Sequence, residues 1–329
     1  MPSSKLKQLF GVIVLGSVIL ALPLSSQAQA RSEIVTTLAG VEKNEGSESF
    51  SVYADVDNRL FITSAKVEAR IEELRLARKN GWEVVLVVEP SRANGVLEIV
   101  DFRIRARENK LTTGFRADRS FKPLVVTTKK SVNEIFEAVY PYSSDNYDAN
   151  DNCFNRAQYW SRAHQVLQKE QGQSFGTDKV FIFFTQAYIK KFNHKWWYHV
   201  APMIYQESST GKKESWVLDP TFLSGPTPLT GSAGWLAAFD NHTGGRCEKI
   251  ETLDDYYENN HRPVCLYIVA SMFNYSPSDL TANKLTNWRC YDFDRMMNAI
   301  DPPGKKTNRP DASWKTEENQ KIIPEMCRR

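Results

Sequence analysis

The chain has 329 residues, with 42 Lys and Arg against 39 Asp and Glu and a formal charge of +3. So small a charge, with both signs interspersed, implies neither nucleic acid nor an anionic membrane as a partner. Eight Trp, 13 Tyr and 17 Phe supply the apolar bulk of a packed core, so disorder is not the expectation.

Lys5 and Lys7 precede an apolar run from Leu9 to Leu24, and the stretch closes on Ala28-Gln29-Ala30. This is the pattern of an export signal cleaved after Ala30. The run is too short and too plainly followed by a cleavage site to span a bilayer, and none like it recurs. A secreted or periplasmic protein is expected.

Residues 31–118 read as a small α+β unit. From Ser64 to Lys79, Val67, Ile71, Leu74 and Leu76 stand among alternating charges, which predicts one amphipathic helix stopped by Asn80-Gly81. Glu83–Val88 and Val96–Ile104 read as strands around the turn formers Pro90 to Gly95. The unit contains no Cys or His and carries no evident chemistry. Residues 119–130 are a basic linker, flanked by Arg116 and containing Arg119, Lys122, Lys129 and Lys130. A second domain is expected over residues 131–329. It opens with a short helix from Ser131 to Val139 and a polar loop from Tyr140 to Asn152.

The segment NDNCFNRAQYWSRAHQVLQKEQG begins at Asn150. Asp151 and Asn152 are capping residues, and Phe154, Ala157, Trp160 and Leu167 recur at helical spacing until Gly172. Cys153 therefore sits in the first turn of a helix, where the positive end of the macrodipole and unpaired N–H groups favour a thiolate. Those groups also suit a developing oxyanion. A buried or bridged cysteine at a helix start is equally familiar. The remaining cysteines, Cys247, Cys265, Cys290 and Cys327, lie late in the chain. An odd count leaves one thiol over: either Cys153, with two late bridges, or a late cysteine, with Cys153 bridged.

KVFIFFTQAY, from Lys179 to Tyr188, reads as an apolar strand. After it, HKWWYHVAPMIYQ and ESWVLDP flank the turn Ser208-Ser209-Thr210-Gly211-Lys212 and read as a hairpin. If the turn centres near Ser209 or Thr210, His199 and Asp219 come opposite one another across the strands, with Cβ atoms about 5 Å apart. A carboxylate so placed fixes the tautomer of an imidazole. The order Cys, His, Asp then gives a nucleophile, a base and an orienting group. Taken singly, His199 reads as well as an ordinary strand histidine and Asp219 as a strand-ending Asp-Pro; together with the upstream Cys153 they favour catalysis. Trp196, Trp197 and Tyr198 either line the approach to such a site or belong to the core. His194 and His199 are five apart and no C-x-x-C or H-E-x-x-H occurs, so no metal site is indicated. No cofactor motif is present.

At YPYSSDNYDANDNCFNRAQYW, WWYHVAPMIY and WVLDPTFLSGP the chain resembles the bacterial protein-glutaminases, secreted enzymes that deamidate glutamine side chains in intact proteins. The resemblance covers roughly residues 131–298. It implies an α+β, papain- and transglutaminase-like catalytic domain, in which a helix bearing the cysteine packs on an antiparallel sheet bearing His and Asp. It assigns the triad to Cys153, His199 and Asp219. It also implies that residues 31–118 are an inhibitory pro-domain. The expected partners are proteins or peptides with exposed glutamine and the chain's own pro-domain, and a monomer is expected. Transglutaminase-type acyl transfer, peptide-bond cleavage and a non-enzymatic secreted binding protein are the rival readings.

Overall fold

The computed structural model describes residues 31–55, 57–91, 96–105, 122–123, 125–126, 129–139, 153–154, 157, 160–161, 175–219, 224–240, 247–272, 274 and 276–281. The expected leader, the capping residues Asp151 and Asn152, Cys290 and Cys327 lie outside them.

The first half is a six-stranded sheet in the order β1-β5-β6-β4-β3-β2, built from β1 (Ser32–Thr36), β2 (Leu38–Lys43), β3 (Phe50–Ala54), β4 (Leu60–Thr63), β5 (Glu83–Pro90) and β6 (Leu97–Arg105). Its helical stretch is two pieces, α1 (Ala65–Glu68) and α2 (Ile71–Asn80), where the sequence predicts one helix. The break falls at Arg70, whose backbone leaves the helical region (φ −119°, ψ 17°). Arg70 also reaches across the sheet to Asp101 and stacks its guanidinium 4.2 Å over the Phe102 ring. Gly81 ends α2 in the left-handed conformation, φ 63°, as its position after Asn80 leads one to expect. The α2 face carrying Ile71, Leu74 and Ala77 packs on Val52, Phe61, Val84 and Leu86 of the sheet.

The second half contains β7 (Lys122–Pro123), β8 (Val125–Val126), α3 (Lys129–Val139), β9 (Phe175–Gly176), β10 (Asp178–Phe184), α4 (Gln186–Phe192), β11 (Tyr198–Glu207), β12 (Lys213–Val217), β13 (Thr227–Pro228), α5 (Trp235–Asp240), β14 (Glu248–Lys249), α6 (Leu253–Glu258) and β15 (Cys265–Ser271). The order β13-β12-β11-β10-β15-β14, with β8 beside β11, makes the main sheet, antiparallel through its centre. Its central strand β10 is buried almost throughout, as an apolar run without alternation requires. The architecture is α+β with sheets dominant.

The strand read as Lys179–Tyr188 ends at Phe184. Thr185 turns the chain by accepting the Tyr188 N–H on its hydroxyl, and Gln186–Phe192 is helical. This N-cap competes with strand continuation, and the apolar run hides it. The hairpin forms as expected, closed by Ser208 N–H to Lys212 O (2.9 Å) and by Gly211 at φ 76°. Its register pairs Met203 with Val217 and Tyr205 with Ser215, so it centres on Thr210, not Ser209. Asp219 therefore lies diagonal to His199, two residues from the directly opposed position. That offset keeps both side chains on one face and within reach.

The two halves share a core. Ala39, Tyr53 and Leu60 of the first sheet join Phe183, Trp197, Tyr198 and Tyr256 of the second half. No helix among the described residues is long and apolar enough to cross a membrane.

Candidate active site

Cys153, Phe154, Ala157, Trp160 and Ser161 are helical, and all five are buried. Their spacing places one face against the main sheet, where Cys153, Phe154 and Ala157 enter the same core as β10 and β11. Cys153 is 2% exposed and its thiol is unbridged. Cys247, the residue before β14, forms a disulfide with Cys265 at the start of β15.

His199 lies on β11, facing Ile182 of β10 across the ladder. Its Nε2 is 2.9 Å from Asp219 Oδ2, and the two residues are 1% and 3% exposed. The Cys153 thiol hydrogen-bonds to the same imidazole. With Nε2 engaged by the carboxylate, Nδ1 is the nitrogen left for the sulfur. One buried ring thus holds a thiol on one side and a carboxylate on the other.

Burial is the largest single influence on the His199 ring and works against its charged form. The charge of Asp219, the hydrogen bond to it and the contribution of Cys153 together outweigh burial and raise the ring to about 9. Near neutral pH His199 is therefore an imidazolium, a proton donor poised beside sulfur.

Aromatic rings wall this pair. Trp196 and Trp235 each lie 6.0 Å from the His199 ring, inclined at 24° and 32°, and Phe239 lies 6.3 Å away. Trp235 also donates its indole Nε1 to Asp219 Oδ2 at 2.8 Å. Sequence reasoning missed Trp235. The only available signal was its place after Gly231-Ser232-Ala233-Gly234, a turn rich in small residues opening a helix.

Of the three aromatics expected along the substrate approach, only Trp196 stays beside His199. Trp197 and Tyr198 are fully buried and serve the contact with the first sheet. Trp197 N–H donates to Asn58 O at 2.7 Å, Trp197 Nε1 to Asp57 O at 3.3 Å, and Tyr198 Oη to Asp55 O at 2.9 Å. Arg59 and Trp196 add an antiparallel bridge. Asp55 and residues 57–59 thus lie along the strand entry to His199. Asp55 is itself held by Thr37 Oγ1 at 2.8 Å and by the Ser278 N–H at 3.0 Å. Arg59 is clamped to the Asp57 carboxylate through Nε at 2.9 Å and a second guanidinium nitrogen at 2.5 Å.

Residues 129–239, which include Cys153, His199, Asp219 and Trp235, match a family described as Glutaminase. A crystal structure of a mutant pro-protein-glutaminase superposes with a TM-score of 0.52 at 18% identity, over 85% of this chain and 96% of that one. The chain therefore shares its fold with that pro-form along most of its length. A second crystal structure of pro-protein-glutaminase gives a TM-score of 0.49 at 18% identity, covering 86% of this chain and 98% of its own. The NMR structure of protein-glutaminase from Chryseobacterium proteolyticum gives 0.31 at 20% identity, over 55% of this chain and 95% of that one. No curated protein matches the chain.

Proposed function

We propose that the protein is an exported, cysteine-dependent deamidase of protein-bound glutamine, with Cys153 as nucleophile, His199 as acid and base, and Asp219 as the group that orients His199. The observation that supports it most is the single buried imidazole shared by the Cys153 thiol and the Asp219 carboxylate. In this reading the Cys153 sulfur bonds to the side-chain carboxamide carbon. The carbon–nitrogen bond then breaks, and His199 protonates the departing ammonia. Water, activated by the now neutral His199, attacks the thioester, the carbon–sulfur bond breaks, and glutamate and the thiolate are released. Backbone N–H groups at the start of the Cys153 helix serve as oxyanion donors.

Residues 31–118 act here as an intramolecular inhibitor, removed by cleavage within the basic stretch that ends at Lys130. The hydrogen bonds from Trp197 and Tyr198 to Asp55, Asp57 and Asn58 support this role, since they lay the first domain along the strand that carries His199. The test is ammonia release from casein by the processed chain and by its Cys153→Ala variant. The reading expects release from the first and none from the second; equal release would end it. Incorporation of an added amine would favour a transglutaminase, and new peptides a protease.

A further inference from the structure

The oxygen of Asp219 that accepts from His199 at 2.9 Å also accepts the indole N–H of Trp235 at 2.8 Å. Trp235 is 0% exposed. Bulk water is kept from this corner, so the carboxylate depends on protein donors to fix it.

The chain is shaped to deliver that indole. Gly231 has φ +103°, and a Cβ on Gly234 would lie 2.5 Å from the Thr230 carbonyl carbon and 2.6 Å from its oxygen. Only glycine suits either position. Gly234 N–H donates to Gly231 O at 3.0 Å and Leu236 N–H to Leu229 O at 3.2 Å, which folds residues 229–236 into a tight turn with Trp235 at the head of α5. Two attachments then hold α5. Tyr188 Oη donates to Phe239 O at 2.7 Å, and the Cys247 sulfur sits 3.8 Å from Leu236 O, bridged in turn to Cys265 on β15. The Phe239 ring meets Trp235 edge-on at 4.9 Å.

We infer that Trp235 is a positioning residue for the catalytic pair, its N–H locking the Asp219 carboxylate in the orientation that fixes the His199 tautomer. This rests on the reading of Cys153, His199 and Asp219 as a triad. Two effects follow from removing the N–H. The carboxylate gains freedom to turn away from the imidazole, which slows proton transfer. It also loses a positive dipole end that tempers its charge, so the hold of the carboxylate on the imidazolium changes and the His199 midpoint moves.

The experiment replaces Trp235→Phe in the full-length chain, with benzothienylalanine at the same position as a second variant. The latter keeps the ring shape and lacks only the N–H. His199 is titrated by NMR in the full chain, and ammonia release from casein is followed after tryptic cleavage. The expected result is a His199 midpoint displaced from the parent's, kcat lowered roughly ten- to a hundred-fold, and KM within about twofold of the parent. A kcat within about twofold of the parent would overturn the inference. So would a fall in kcat with the His199 titration unmoved, since that marks a merely structural loss. If the processed parent releases no ammonia at all, the proposed deamidase reading fails instead, while the titration still decides the role of Trp235.

Discussion

Asp219→Asn is the sharpest perturbation of the buried pair, because the amide oxygen can still accept from both His199 and Trp235 while the charge is gone. In the parent, burial pushes His199 toward its neutral form, and Asp219 with Cys153 overcomes this to hold the ring at about 9. A folded-state midpoint raised above 6.5 means that the imidazolium stabilises the fold fully below pH 6.5, and that this contribution is lost as pH rises through about 9. At about 1.36 kcal/mol per pH unit, the contribution is about 3 kcal/mol. In the variant the burial remains without the countercharge, so the midpoint drops to 6.5 or lower. At about pH 7.5 the imidazolium fraction then falls from nearly all to about a tenth or less. Loss of the poised acid lowers ammonia release by roughly a hundred- to ten-thousand-fold. NMR titration of the ring and ammonia release from casein measure the two effects. A His199 midpoint that stays near 9 in the variant would refute the reasoning.

Two further predictions concern the surroundings of the site. Tyr53→Ala removes a fully buried ring of the first sheet that meets Trp197, Tyr256 and Tyr257 with centroids 5.1, 5.7 and 5.7 Å away. The loss is about 3–5 kcal/mol. The intact variant should then alkylate at Cys153 with iodoacetamide faster than the intact parent; equal rates would argue against the first sheet as the proposed cover. Replacing both Cys247 and Cys265 by Ser opens a bridge of sequence separation 18. This should cost about 3 kcal/mol in urea unfolding, and it should reduce ammonia release because α5 loses an anchor.

The sequence made legible whatever is written locally. Asn80-Gly81 ends α2 because only a residue tolerant of positive φ closes a helix that way, and the polar turn at Ser208–Lys212 announces its hairpin. The apolar run Lys179–Tyr188 was harder to read: it divides between β10 and α4 at Thr185, whose hydroxyl accepts the Tyr188 N–H in competition with strand pairing and leaves no periodic trace. The facing of His199 and Asp219 was legible to within a diagonal, because an even offset preserves the face while the exact centre depends on how Gly211 closes the turn. Trp235 escaped because its bond to Asp219 joins residues 16 apart through a turn whose aim is set by Gly231 and Gly234. Aromatic residues also read as core by default, which Trp197 and Tyr198 largely are.

The most direct test of the account is mass spectrometry of a model protein after incubation with the processed chain and with its Cys153→Ala variant. Conversion of glutamine to glutamate without chain cleavage, by the first and not the second, is the predicted result. Unchanged glutamines, new peptides, or conversion that persists without the Cys153 sulfur would contradict it.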